Sequence, residues 1–544
     1  MRRPTLSSVF RRKATSRRRH ASRLDSSGVR ERGTSVAGSS RNLGDLRVSS
    51  KARYRDAKET KRSGMDVQES ELPVVPVKSG NRDPRDSAEG RSSLVAEPEN
   101  GTMSETLCSG NVTTKVQRIA ELARKHPKRV FSSVAHAVDL EWVREAYRRT
   151  RKDGATGVDG RNAAAFAEHL EENLSSLAER LRTGSYRPPP VKRAHIPKSP
   201  GKTRPIGIPT FEDKVAQRAV AMLLEAIYEQ DFYVHSYGFR PGRSAHQALE
   251  WLQREPTYWT RCWIVDADIR SFFDTIDHKR IRSFLDQRVR DGVVRRLVDR
   301  WLNAGVLEDG SVRLAKFGTP QGGVISPLLA NVYLHVVLDE WYRRDVEPRM
   351  KGKTRLFRYA DDFVMLFERE GDARRVMSVL GKRFERFGLQ LHPDKTRLLS
   401  FNSPGLGEKR AQRARSFDFL GFTHYWARSR KGRWVVKQRT AKDRFTRSLV
   451  RVKEQCRRMM HVPVAHQHRT LCARLRGHFN YFGVTGNGDA LSRFRSEVER
   501  IWGRTLARRN GRRFAWRRFK PLLERYPLPP AHPPRSVSPS EPAT

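Results

Sequence analysis

Residues 358–366 read RYADDFVML. Tyr359, Ala360 and the run Phe363, Val364, Met365, Leu366 have the character of a buried strand or hairpin, which Asp361 and Asp362 interrupt. Burying one carboxylate without a partner is costly, and two adjacent ones more so. A second stretch, IVDADIRSFFD at 264–274, repeats the pattern, with Asp266, Asp268 and Asp274 set among apolar residues. On a strand Asp266 and Asp268 share one face, while Asp274 falls beyond the strand. If the two strands are neighbours, their carboxylates converge. A divalent cation makes such convergence tolerable: Mg²⁺ takes carboxylate oxygens together with substrate phosphates, and two such ions can stabilise the attacking and leaving oxygens of an in-line phosphoryl displacement. The plainer alternative is that these acids cap turns or pair with Arg358 and Arg270.

The surrounding composition favours the metal. Lys and Arg number 108 against 60 Asp and Glu, a net charge of +48. A chain this basic expects a polyanion, with nucleic acid ahead of an acidic membrane surface. Acids that converge in it do not bind phosphate directly. No stretch approaches the ~20 apolar residues of a membrane helix. The four cysteines (Cys108, Cys262, Cys456, Cys472) form no C-x-x-C pair, which fits a reducing compartment. Cys456 and Cys472 lie among His461, His466, His468 and His478, but not at finger spacing, and no zinc is assigned.

Length suggests roughly three or four units of about 150 residues. Residues 1–110 are rich in Arg, Ser and Gly, lack periodicity and read as a disordered basic extension; Met103 is an alternative start. Residues 111–176 are helical in pattern, with helices expected over DLEWVREAYRRT and, as one piece, over NAAAFAEHLEENLSSLAERLRTG. Residues 177–424 mix strands and helices: a Pro-rich hairpin, a strong helix over EDKVAQRAVAMLLEAIYEQDF, the two acid-bearing strands, and helices near 279–304, 325–345 and 372–388. Residues 438–530 are helical and very basic, and 531–544 a loose tail. The fold class is α+β followed by an all-helical domain.

YADD after a strand, with DIRSFFD upstream, resembles the catalytic core of a reverse transcriptase. YRPPPVKRAHIPKSPGKTRPIGIPT, SYGFRPGRSAHQAL, GTPQGGVISPLLANVYL, LHPDKTRLLSF and FDFLGF are similar, in order, to blocks of group II intron-encoded reverse transcriptase/maturases. The resemblance implies a right-hand polymerase fold, fingers and palm, followed by a thumb/maturase domain. It implies Asp268, Asp361 and Asp362 as a metal-binding triad for two Mg²⁺ (Mn²⁺ as a substitute), with the Ile269 carbonyl as a further ligand. Lys198 and Arg204 match positions that grip the incoming triphosphate. Phe273 matches the residue that collides with a ribose 2′-OH, with Phe272 as competitor, and Gln321 lines the nucleotide pocket, with Gly322 and Gly323 allowing close backbone approach. Tyr237, Arg240 and Arg243 fall near the template, though Arg240 is equally an ion-pair partner. GVDG at 157–160 resembles a fingertip lid. In the C-terminal part Arg474, Arg476, Arg508, Arg509, Arg512 and Arg513 are the RNA-facing candidates, with Phe479, Tyr481, Phe482 and Trp502 as core. Paired cysteines of an HNH endonuclease are not found before Thr544, so none is expected.

The expected function is RNA-directed DNA polymerase and maturase. The protein would bind group II intron RNA, assist its splicing, and copy it from a primer at a DNA target with deoxynucleotide triphosphates. It is expected in the cytoplasm, on the nucleoid as a ribonucleoprotein. Two alternatives stand beside this: a splicing-only RNA-binding maturase, which the intact YADD and DADIR disfavour, and a related reverse transcriptase used in antiviral defence.

Overall fold

The computed structural model describes residues 103–199, 202–259, 261–308, 311–313, 322–404 and 416–531, with the backbone alone at 103–110, 197–199, 202 and 311–313. The expected extension therefore lies outside the described residues up to 102, and its boundary at 110 is corrected, because helix α1 (Met103–Lys125) already spans it. Helix α2 (Leu140–Arg149) starts where the Asp139 carboxylate accepts from the Trp142 N–H. The single helix expected next is broken. It forms α3 (Ala163–Ala167) and α4 (Leu170–Arg182), parted at His169, whose ψ of 50° is not helical. Strands β1 (Val191–Ser199) and β2 (Lys202–Ile208) make the expected hairpin. Helix α5 (Phe211–Tyr228), capped by Thr210, is buried along almost its whole length, and α6 (Ala245–Thr257) begins with a reciprocal Ser244–Gln247 capping box.

Strand β3 (Trp263–Ala267) leads through a one-turn helix α7 (Phe272–Thr275) to α8 (His278–Leu285) and α9 (Gly292–Leu302). The sequence pattern over 279–304 suggests one helix. Asp291 divides it by accepting from the Val293 and Val294 N–H groups at 2.9 and 3.0 Å, which starts a new helix. Short strands β4 (Val306–Glu308) and β5 (Ser311–Arg313) complete a sheet of order β2-β1-β4-β5. Helix α10 (Ser326–Leu334) runs on into two π-helical turns, His335–Asp339 and Tyr342–Val346. Then follow β6 (Thr354–Tyr359), β7 (Asp362–Phe367), α11 (Glu370–Glu385), β8 (Arg397–Ser400), β9 (Ser416–Phe419), β10 (Phe422–Arg428) and β11 (Trp434–Thr440). Four helices close the described chain: α12 (Lys442–Arg458), α13 (Val464–Phe482), α14 (Gly488–Arg509) and α15 (Trp516–Arg525).

The sheet of order β6-β7-β3-β8 is antiparallel at β6–β7, β7–β3 and β3–β8, and it is covered on both faces. Val265, Ala267, Leu356, Phe363, Met365 and Phe367 pack into one core with α5, α8, α10 and α11. The alternate residues Ile264, Phe357, Val364 and Leu366 pack into a second core with α6, β10 and the C-terminal helices. Strict alternation between two dry faces explains why FVMLF is apolar throughout rather than every second residue. Burial of a large apolar side chain contributes about 1.5–3 kcal/mol, so this strand offsets the cost of the acids at its end.

Candidate active site

The register of the central sheet brings the acids together. Ala267 is paired with Phe363. The next rung therefore sets Asp268 opposite Asp362, both on the face that continues into the second core. β6 and β7 are joined through Ala360 and Asp361, with Tyr359 opposite Asp362. Ala360 adopts φ +56°, a left-handed conformation that costs a residue with a Cβ. The surroundings enforce it. A Cβ on Gly238 would stand 2.3 Å from the Ala360 nitrogen, so only glycine lets that loop abut the tip. The loop also pairs with β6: Tyr237 N–H donates to the Arg358 carbonyl (2.9 Å) and Arg358 N–H to the His235 carbonyl (3.0 Å).

Arg358 does not neutralise the tip acids. Its fully buried guanidinium donates to both Asp339 carboxylate oxygens at 2.8 and 2.5 Å, to Asn331 Oδ1 at 2.9 Å and to the Ala360 carbonyl at 3.2 Å. Asn331 donates in turn to the Gly238 carbonyl at 2.8 Å. One cation thus ties together both sides of the strained turn. Burial pushes the Asp339 carboxyl up, but Arg358 and His335 outweigh this and hold it below its ordinary value.

Asp268 Oδ2 accepts from Lys395 Nζ at 2.5 Å. Its carbonyl accepts from His392 N–H at 2.8 Å, and Arg270 N–H donates to the Gln390 carbonyl at 2.8 Å. These bonds flank Ile269 and leave its carbonyl out of the pairing. Asp266 is a structural acid, held by Arg397 at 3.0 Å. Asp362 is open to solvent on one side and enclosed by protein on the others. That enclosure, then the charges of Asp361 and Asp268, push its carboxyl up to about 7, against the opposing pull of Arg444 and Lys395. Among the described residues no three His, Cys, Asp or Glu side chains already form a cage for one ion. The donor chemistry nonetheless fits a hard divalent cation: oxygen ligands only, with like charges crowded enough to raise a carboxyl pKa.

The remaining candidates divide. Phe272 is buried against Tyr333, whereas Phe273 is half-buried with its ring 5.4 Å from that of Phe272, so the more open position is Phe273. Arg204 is exposed on β2, opposite Ile196. The Lys198 side chain and Gln321 lie outside the described residues. Gly322, at φ +114°, fits tightly against β2, since a Cβ would meet the Gly207 carbonyl oxygen at 2.5 Å. Of the two readings of Arg240, the ion-pair partner is the one that holds, and its place among the nucleic-acid-binding residues is corrected. Arg240 is buried, bridges Glu229 at 2.9 Å and donates to the Tyr233 and Ser236 carbonyls, so it anchors its loop instead of facing nucleic acid. Arg243 is half-buried beside the Tyr237 ring. Arg476, Arg508, Arg509, Arg512 and Arg513 are exposed, and Arg474 is half-buried.

Several participants escaped the sequence reading. The sequence offers Arg358 only as a partner of the tip acids, and Asp339 and Lys395 have no signal of their own. Arg444 at the start of α12 reaches the field of Asp362. Lys453, Arg457, Arg458 and Arg504 join Arg508 around a cavity of about 790 Å³ between α12 and α14. Their helical spacing, 453 to 457 and 504 to 508, is a signal that could have found them.

Acid-bearing antiparallel neighbours β3 and β7, the second entered through the rigid β6–β7 turn, in a basic α+β protein, are the arrangement of a nucleotidyltransferase of polymerase type. Residues 196–424 match the family described as reverse transcriptase (RNA-dependent DNA polymerase). Protein YkfC of Escherichia coli K12 is 34% identical over 331 residues, which cover 54% of this chain and 83% of that protein. The group II intron-encoded protein LtrA of Lactococcus lactis subsp. cremoris is 37% identical over 225 residues, 40% of this chain and 37% of that protein. Nuclear intron maturase 4, mitochondrial, of Arabidopsis thaliana is 25% identical over 214 residues, 39% of this chain and 25% of its own length. The chain belongs to the group II intron reverse transcriptase/maturase family and is an RNA-directed DNA polymerase. Enzymes of this family generally use divalent metal ions. Among the described residues no helix is long and apolar enough to cross a membrane.

Proposed function

We propose that the protein binds a group II intron RNA, assists its splicing and copies it into DNA from a primer at the target site. The carrying observation is the β3–β7 register, which ends at Ala267–Phe363 and supports Asp268 facing Asp362 one rung further on. Asp268, Asp361, Asp362 and the Ile269 carbonyl would hold two Mg²⁺, which supply charge stabilisation to the attacking 3′-oxygen and the leaving pyrophosphate. The chain's own part is positioning. The Arg358 network fixes the tip, Phe273 screens the sugar, and Lys198 and Arg204 neutralise the triphosphate. Gln321 lines the nucleotide pocket. In this reading the β1–β2 hairpin belongs to the fingers, the central sheet to the palm and α12–α15 to the thumb/maturase domain. The exposed arginines of α13, α14 and the segment after α14 meet RNA phosphates. The complex works in the cytoplasm, at the nucleoid.

The test is extension of oligo(dT) on poly(rA) with Mg²⁺. Wild type extends and Asp361→Ala does not; equal synthesis by both would remove the metal assignment. Splicing of the flanking intron at low Mg²⁺ persists in the same variant, because the RNA-binding arginines are untouched.

A further inference from the structure

Phe239 has an unusual combination of properties. It is 51% exposed, it holds φ +57°, and its ring centroid lies 6.4 Å from that of Tyr359, the residue opposite Asp362 in the hairpin. Left-handed backbone is costly for a bulky residue, and such strain persists only where the surroundings over-determine it. They do so on both sides. Gly238 is wedged against the Ala360 backbone. Arg240 is locked by Glu229 and by the Tyr233 and Ser236 carbonyls. The constraint does not serve burial, since it turns a large apolar ring towards water.

We infer that Phe239 is a stacking contact for the template strand, forming with Tyr359 an aromatic step beside the primer end. This rests on the polymerase reading above, because that reading places the primer end at Asp361 and Asp362. Three observations support the occupant: the ring borders the hairpin that carries the acids, it is already open, and the chain's +48 charge draws a nucleic acid to it. Stacking on an aromatic face is tolerant of sequence, which suits an enzyme that must accept any template base.

The alternative is that the ring merely packs on Tyr359, and glycine separates the two. Phe239→Gly removes the ring and relieves the left-handed strain. The expected result is an unfolding midpoint at or above that of wild type, with affinity for a fluorescently labelled poly(rA)/oligo(dT) duplex lowered roughly 5- to 150-fold, the range of one lost base stack. Phe239→Trp restores the affinity. Binding of the glycine variant within about twofold of wild type, well below one lost stack, overturns the inference, and so does a lowered unfolding midpoint. Wild-type extension is measured in parallel. If wild type extends and the glycine variant binds normally, only the role of Phe239 falls; if wild type makes no template-dependent product, the polymerase reading falls first.

Discussion

Replacing Asp339 by asparagine tests whether the buried Arg358 network supports the turn that carries Asp361 and Asp362. Both side chains are fully buried, and the pair is joined by two charge-assisted hydrogen bonds of 2.8 and 2.5 Å. The Asp339→Asn variant keeps one acceptor but leaves the guanidinium with no counter-charge within its contacts. Removing one partner of a buried pair costs about 3–5 kcal/mol, mostly as an uncompensated charge. Against a typical stability of about 5–15 kcal/mol, that is a large fraction. Urea denaturation followed by tryptophan fluorescence reads this loss. The double variant Asp339→Leu with Arg358→Met separates stability from positioning. Apolar replacement of a whole buried pair is often neutral, so most of the stability returns. The bonds from Arg358 to Asn331 and the Ala360 carbonyl do not return, and a loosened tip lowers the extension rate by about 10- to 100-fold, as misplacement of about 1 Å does elsewhere. The reasoning is refuted if the single variant stays within about 1 kcal/mol of wild type, short of the cost of an orphaned buried charge, or if the double variant extends primers at the wild-type rate.

Further outcomes follow from other positions. Gly238→Ala drives a Cβ to 2.3 Å from the Ala360 nitrogen, so backbone must shift; it lowers stability by about 1–3 kcal/mol and reduces extension, both measurable on one preparation. Phe273→Ala raises incorporation of ribonucleotides relative to deoxynucleotides, scored by alkali-labile product. Asp213 is buried among Tyr186, Trp301 and Gln217, and burial pushes its carboxyl up to about 6. Its folded pKa exceeds the unfolded one, so the folded state is favoured at low pH and loses that advantage as pH rises from about 4 to 6, by about 3 kcal/mol at 1.36 kcal/mol per unit. Asp213→Asn, which cannot ionise, flattens this part of the stability–pH curve.

The acid-bearing strands were legible because their chemistry is local. An apolar run interrupted by Asp361 and Asp362 can be read without knowing its neighbours, and so can the alternation around Asp268. Helix breaks at His169 and Asp291 were not legible, since each depends on a backbone choice that lets the next segment turn towards the core. The Arg358–Asp339 pair was hidden for a different reason. Asp339 is aimed at Arg358 from a π-helical turn, a geometry that helical periodicity does not announce. Lys395 reaches Asp268 only because the segment 390–392 pairs beside Ile269. The position of Arg240 in GFRPGRS leaves a template contact and an ion pair equally open, because the Tyr233 and Ser236 carbonyls that claim it come from a loop whose path the sequence does not set. Phe239 has no signal in the sequence, since nothing in its letter reveals a positive φ.

The central sheet lies between two cores, and the second is completed by residues of α12, α13 and α14. Synthesis delivers those helices last. Until they emerge from the ribosome, Ile264, Phe357, Val364 and Leu366 have only part of their cover, and one face of their strands stays apolar and open. The nascent chain therefore carries Asp268, Asp361 and Asp362 well before the second face of their sheet is covered.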